Sequence, residues 1–458
     1  MKNFIKDKSF YKYFMILTLS LALQNLLAYS VNLADNVMVG GYSETALSGT
    51  ALCNQIQFLL QMMVTGVGEG VIVLGSQYWG KKKLDPIRDI IGVALRYGLI
   101  ISVIMFVLAL LFPSQILGLL TNDTAVIAEG VRYLRIICFT YIIFTITNVL
   151  VASLRSIGIV KIGYIISFST LCINICLNSI LIYGRLGFPR MGVQGAAIAT
   201  LISRCVELFI VIYYLKNKEH SLNLTLEKLI HIDKSYNKDY KKVTMPVLLN
   251  QAQWGIAQMV QTGILGHLGA TAIAANSIAT IVFQIISVVA YGAASAAGIV
   301  IGRTIGENDM DRLHPLVNTL QTLFIGIGIV TGLLIFFVRT PILTLYNISP
   351  ESRSLAMQFM LILSITTVGT AYQMASDNGI IRGGGDTSFS AKMNAVSMWG
   401  IVIPLSSIAA FVLHWPAIAV FFLLKWDQLY KAIPVTIRVR SWKWVKKVTR
   451  QNPEVSEA

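Results

Sequence analysis

Long apolar stretches alternate with short polar ones along the whole chain. Crossing a bilayer takes about 20 predominantly apolar residues. Twelve stretches reach that length: 13–38, 46–76, 87–112, 126–153, 161–184, 192–215, 244–268, 272–301, 317–338, 354–378, 389–413 and 415–436. The pattern predicts an all-α polytopic membrane protein with twelve transmembrane helices. The second and eighth stretches are long, which predicts tilt or a short interfacial turn. The longest non-apolar segment, Lys216 to Lys242, divides the chain nearly in half. It reads as a cytoplasmic linker, with an amphipathic helix around Leu222–Ile232 lying on the membrane surface.

The two halves repeat each other at a near-constant offset. At +226, Gly40 falls on Gly266, Thr45 and Ala46 on Thr271 and Ala272, Gly80 on Gly306, and Asp85 on Asp311. At +227, Arg155 and Gly158 fall on Arg382 and Gly385. Gln24 and Asn25 meet Asn250 and Gln251, the same two amides in reverse order. Six spans per half is an even number, so the repeat is parallel. The expected architecture is two six-helix lobes related by a pseudo-twofold axis along the membrane normal, a build found in secondary transporters. The expected segments are residues 1–215 for the N-terminal lobe, 216–242 for the linker, 243–440 for the C-terminal lobe and 441–458 for a cytoplasmic tail.

Charge sharpens this picture. Of 458 residues, 13% are charged and the formal net charge is +15. Soluble domains carry about 25% charge, so a soluble enzyme or DNA-binding protein is excluded. With the N-terminus inside, the inner segments hold 28 Lys and Arg. The outer loops hold four: Arg185, Arg190, Arg339 and Arg353. The positive-inside rule then places both termini in the cytoplasm of a multi-pass protein in the cell (inner) membrane. The basic excess is a topology signal, and no nucleic-acid partner is expected. The apolar run after Tyr13 is too long for the core of a cleavable signal. The five cysteines all lie in apolar runs without a Cys-x-x-Cys, and read as small buried hydrophobes.

Several motifs together resemble the multidrug and toxic compound extrusion (MATE) family of cation-coupled exporters. The first span ends Asn32-Leu-Ala-Asp-Asn-Val-Met-Val-Gly-Gly41, and the second ends Gly75-Ser-Gln-Tyr-Trp-Gly-Lys-Lys-Lys83. Leu154-Arg-Ser-Ile-Gly158 and Ile381-Arg-Gly-Gly-Gly-Asp-Thr387 resemble the family's paired turns. Gly192-Val-Gln-Gly-Ala-Ala-Ile-Ala-Thr200 resembles its connection into the sixth span. The likeness runs along roughly residues 10–440. It implies two lobes forming a V, and export of organic cations against entering Na⁺ or H⁺.

Asp35 heads the functional candidates. A carboxylate inside an apolar stretch is costly and commonly serves an ion or proton pathway. The alternative is an interfacial residue at a helix end. Asn174 and Asn178, spaced i, i+4, put two amides on one face of the fifth span, and Thr200 offers a hydroxyl on the sixth. Each can equally be helix–helix glue. The resemblance implies that these positions form a cation site, with Na⁺ the one metal to consider, at Asp35. Some members have a second acid where this chain has Asn178.

In the second half, the positions where some members hold a Glu and an Asp correspond to Trp254 and Ala371, so a second cation site looks absent. Amides and aromatics stand there instead: Gln251, Gln253, Trp254, Gln258, Gln261, Tyr372 and Gln373 are candidates for a substrate cavity, with Asp377. Gln261 is the repeat equivalent of Asp35. Asp377 either pairs with Arg382 or takes part in substrate or proton transfer. Glu207 follows Arg204 by three residues, a spacing that favours an ion pair. The family often has Pro in the first helix where this chain has Ser20, while Pro246 is kept in the seventh.

No phosphate-binding loop and no Cys/His cluster is present. Arg438 to Lys447, basic with two Trp, reads as a segment on anionic lipid. The resulting expectation is a monomeric secondary antiporter without cofactors. It would export amphipathic organic cations against H⁺ or Na⁺ by alternating access, with membrane lipids as its surroundings. The rivals are a lipid or lipid-linked saccharide flippase of a related fold, and a membrane-embedded enzyme. The flippase would need several of Arg96, Arg132, Arg135, Arg204 and Lys425 to line one central cavity.

Overall fold

A computed structural model describes residues 4–225, 228–229, 232–233, 235–344 and 349–450. It is all helical, with no strand among the described residues. Lipid offers no partner for backbone N–H and C=O groups, so apolar spans close their own hydrogen bonds as helices. The first three spans are Lys8–Gly40, Glu44–Gly80 and Asp85–Leu111. The fourth is a pair, Thr124–Ile137 and Thr140–Ser156, bent by 50°. Lys161–Leu181 and Val193–Asn217 complete the first half. The second half runs Tyr236–Gly266, Ala270–Gly306, Met310–Leu343 and Pro350–Ala375, then Thr387–Val412. It ends in a broken twelfth segment, Ala417–Lys425, Asp427–Tyr430 and Ala432–Arg440.

Nine helices are long and apolar enough to cross a membrane, or ten with the bent pair, among the described residues. The seventh and twelfth segments are not among them. The seventh carries five amides between Asn250 and Gln261, and the twelfth is interrupted by Lys425, Asp427, Gln428 and Lys431. The second and eighth helices are 37 residues each. At about 1.5 Å per residue they exceed the roughly 30 Å hydrocarbon layer.

Helix starts are set locally. Asp123 accepts from the N–H of Ala125 and Val126 at 2.9 and 3.2 Å. Asp309 accepts from Arg312 N–H at 3.0 Å, and Ser349 from Ser352 N–H at 3.1 Å. These oxygens satisfy amides that a first helical turn leaves open.

The chain forms two compact units. One holds Leu23–Gly75 and Lys83–Thr244; the other holds Met1–Ala22, Ser76–Lys82 and Met245–Ala458. We call them the first-half and second-half units. The first has a core around Leu60, Val64, Leu134, Tyr141 and Ala197. In the second, Phe359 stacks on Phe421 with ring centres 3.9 Å apart. Only the second-half unit contains π-helical turns among the described residues: Ser376–Ile381, Val396–Val402 and Ile408–Val412.

Three expectations change. The amphipathic stretch 222–232 lies partly outside the described residues. Leu222 is fully buried, and Arg88 Nε donates to its carbonyl. A Cβ on Gly92 would stand 2.9 Å from the Leu229 carbonyl, so this glycine lets the linker close onto the third span. Cys53 and Cys138 are buried, but Cys172, Cys176 and Cys205 are exposed on the fifth and sixth spans. A thiol in an apolar run suits lipid as well as a protein core, so sequence pattern does not separate the two. The basic C-terminal segment is also docked on protein. Trp444 is fully buried and donates to Val439 O at 2.8 Å. Asp386 is bonded by both Arg438 and Lys446.

Candidate cation-binding site

Within the first-half unit, four side chains from three helices form one hydrogen-bonded chain. Asn178 Nδ2 donates to Asp35 Oδ1 at 2.5 Å and to Asn174 Oδ1 at 3.1 Å. Asn174 Nδ2 donates to Thr200 Oγ1 at 3.3 Å. Both asparagines are fully buried, Thr200 is buried, and Asp35 is half-buried. The i, i+4 spacing stacks the amides on one face of the fifth helix, between the first and sixth. Asn178 Oδ1 is buried without a hydrogen-bond partner. A buried acceptor left open is costly. Here it stands one bond from a carboxylate, and hard monovalent cations take such oxygens.

Beside this chain lies a second polar group that the sequence spacing gives only in part. Glu207 pairs with Arg204 at 2.8 Å, as the i, i+3 spacing predicts. Its other oxygen accepts from Thr170 Oγ1 at 2.7 Å. The Arg204 guanidinium also sits 5.1 Å over the Phe144 ring. Arg204 is therefore held in place.

The second-half candidates fall into separate clusters. Asp377 accepts from Ser390 Oγ at 2.5 Å and Asn394 Nδ2 at 3.4 Å. Asn394 and Gln253 both donate to Asn250 Oδ1, at 3.2 and 3.0 Å. Arg382 N–H donates to the Asp377 carbonyl at 2.9 Å, and the Asp377 carboxylate also accepts from Ser390 of the eleventh span. Gln373 donates to Gln428 at 2.8 Å, and Gln428 to Asp427. Tyr372 OH accepts from Gln321 and bonds Thr436 at 2.7 Å. Gln261 accepts from Lys425 Nζ at 3.2 Å and donates to Met398 Sδ at 3.1 Å. Gln251 and Gln258 are half-buried, and Trp254 is exposed. A cleft of about 600 Å³ in the first-half unit, lined by Tyr42, Glu129 and Arg190, includes none of the candidate residues.

Sequence reasoning missed the contact between Lys425 and Gln261, because it joins the seventh and twelfth spans across 164 positions. A lysine inside an apolar run was the available signal. No group of three or more potential metal-binding side chains (His, Cys, Asp, Glu) occurs among the described residues. Arg96, Arg132 and Arg135 are exposed, and Arg132 pairs with Glu129 at 2.9 Å.

Buried polar clusters set inside long apolar helices define a polytopic membrane transport protein. The MatE family model matches residues 20–180 and 246–408, and the chain belongs to that family. Its members are transporters rather than enzymes. The chain is similar to an uncharacterized transporter YisQ of Bacillus subtilis, 24% identical over 416 residues and 90% of each chain. It is also similar to a probable multidrug resistance protein NorM of Thermotoga maritima, 24% identical over 436 residues, covering 95% of this chain and 93% of the relative. Among solved structures, a Vibrio cholerae MATE transporter, VcmN, shares the fold with a TM-score of 0.87 at 17% identity, covering 96% and 98% of the two chains.

Proposed function

We propose that this protein is a cation-coupled exporter of amphipathic organic cations in the cell (inner) membrane, with both termini cytoplasmic. The observation that carries the reading is the chain Asp35–Asn178–Asn174–Thr200, with one carboxylate and an open amide oxygen. Family membership and relatives named as multidrug resistance proteins support it. The 28-to-4 sidedness of Lys and Arg supports the orientation.

In this reading, H⁺ or Na⁺ enters from outside and binds at Asp35. A proton takes the carboxylate oxygen. Na⁺ takes the carboxylate, the open Asn178 oxygen and neighbouring amide or hydroxyl oxygens. Either one neutralises Asp35 and weakens the attraction for a cationic substrate, which leaves. The coupling ion biases the state change only by its differential affinity for the two states. A tenfold preference is about 1.4 kcal/mol. The protein works as a monomer without a cofactor.

The test is efflux of a fluorescent cationic dye from proteoliposomes under one imposed gradient at a time. Efflux driven by a H⁺ or Na⁺ gradient, and lost in Asp35→Asn, is expected. Gradient-independent efflux, or full coupled efflux in Asp35→Asn, overturns the coupling role.

A further inference from the structure

One lysine in the second-half unit has no role in the exchange described above. Lys425 is the ninth and last residue of Ala417–Lys425. Its Nζ donates to Gln261 Oε1 at 3.2 Å and lies 5.8 Å from the Phe421 ring centre. The acid two residues on is committed elsewhere, because Asp427 pairs with Lys431 at 2.7 Å, both side chains buried. An ammonium has three donors and no acceptor. Here it meets a neutral amide and an aromatic face. Intramembrane cations normally pair with an anion or mark a substrate path.

The internal repeat gives this lysine a meaning. Gln261 is the +226 equivalent of Asp35. Met398 and Lys425 stand within two residues of the +226 equivalents of Asn174 and Thr200, which are Gly400 and Trp426. The corresponding helices of the repeat, first and seventh, fifth and eleventh, sixth and twelfth, therefore meet in both units. In one they bring together an acid, an amide and a hydroxyl. In the other they bring together an amide, a thioether and an ammonium. Gln261 Nε2 is held by Met398 Sδ, a weak acceptor. A carboxylate has two oxygens and can take Lys425 Nζ and Gln261 Nε2 together, replacing a weak bond with charge-assisted ones.

We propose that Gln261 and Lys425 form a carboxylate-binding subsite, so that the exported amphiphiles carry an anionic as well as a cationic group. This rests on the export reading for its physiological meaning, but its test needs no gradient. The full chain in phosphatidylcholine nanodiscs is titrated with a dansylated undecanoate and, separately, with the cationic dye rhodamine 6G. Lys425→Gln is expected to weaken the carboxylate probe at least tenfold and Lys425→Arg less than threefold. Rhodamine 6G binding should shift less than twofold in both. Gln261→Glu gives Lys425 an internal carboxylate and should weaken the probe as strongly with the lysine in place.

Unsaturable binding of the probe to the native chain overturns the proposal. So does equal affinity in Lys425→Gln. Native mass spectrometry covers the remaining source of an oxyanion. Anionic lipid lost from Lys425→Gln, with probe affinity unchanged, assigns the lysine to a lipid phosphate and overturns the subsite. If coupled efflux fails while this binding pattern stands, the exchange mechanism falls alone.

Discussion

Asp35 lies inside an apolar helix and Asp427 in the broken twelfth segment, and the two units treat these acids differently. Asp427 is closed by Lys431 at 2.7 Å, and Gln428 covers it. Asp386 in the same unit is closed by Arg438 and Lys446. Asp35 is met by an amide, which leaves its charge in place. The difference separates structure from exchange. A carboxylate held by a lysine is fixed in an ion pair. A carboxylate held by an asparagine can gain a proton or a cation without breaking an ion pair.

That contrast is most sharply broken at Asp427. Asp427→Asn leaves Lys431 buried without its partner, which costs about 3–5 kcal/mol. The denaturation midpoint of the purified protein in detergent should fall clearly, and an unchanged midpoint removes the pair from the stability account. Asp35→Asn should do the opposite. Coupled dye efflux should drop at least about tenfold, about 1.4 kcal/mol, while the denaturation midpoint holds. Asn178→Ala comes next. It removes the donor to Asp35 and should reduce coupled efflux by about 1 kcal/mol, roughly fivefold. Restoration by Asn178→Gln would separate a bonding role from a packing one. Thr200→Ala is the smallest, about 0.6 kcal/mol as for other intramembrane side-chain bonds. Efflux should slow about threefold, and a tenfold loss would raise Thr200 to a direct ligand.

The spans were legible because lipid imposes a length and an apolar content that no other environment asks for. The facing amides of Asn174 and Asn178 were legible from helical periodicity. Which helices meet at them is a matter of long-range packing, and the sequence pointed there only through family resemblance. The Arg204–Glu207 pair was readable from its spacing, but its third member, Thr170, comes from another helix. The three π-helical turns carry no distinct composition, so Asp377 gave no sign of sitting in one. Trp444 beside Lys443, Lys446 and Lys447 looks like a lipid-facing segment. Only the structure shows Gly384 making room for it, since a Cβ there would stand 2.2 Å from the Trp444 ring.

The docked C-terminal segment also bears on how the protein is made. The second-half unit contains Met1–Ala22 and Ser76–Lys82 together with everything from Met245 onward. Gln77 donates to the Lys446 carbonyl at 3.1 Å and accepts from Val448 N–H at 3.1 Å. The early turns Lys8–Ala22 thus belong to a unit that also holds bonds between Gln77 and residues about 370 positions further on. The first-half unit, Leu23–Gly75 and Lys83–Thr244, can close during translation. The other must hold those early turns unfinished until Lys446 and Val448 have been made. Chains assembled in this order expose their incomplete surfaces longest, so disrupting the docked segment from Trp444 to Val448 should be felt first in yield from the membrane.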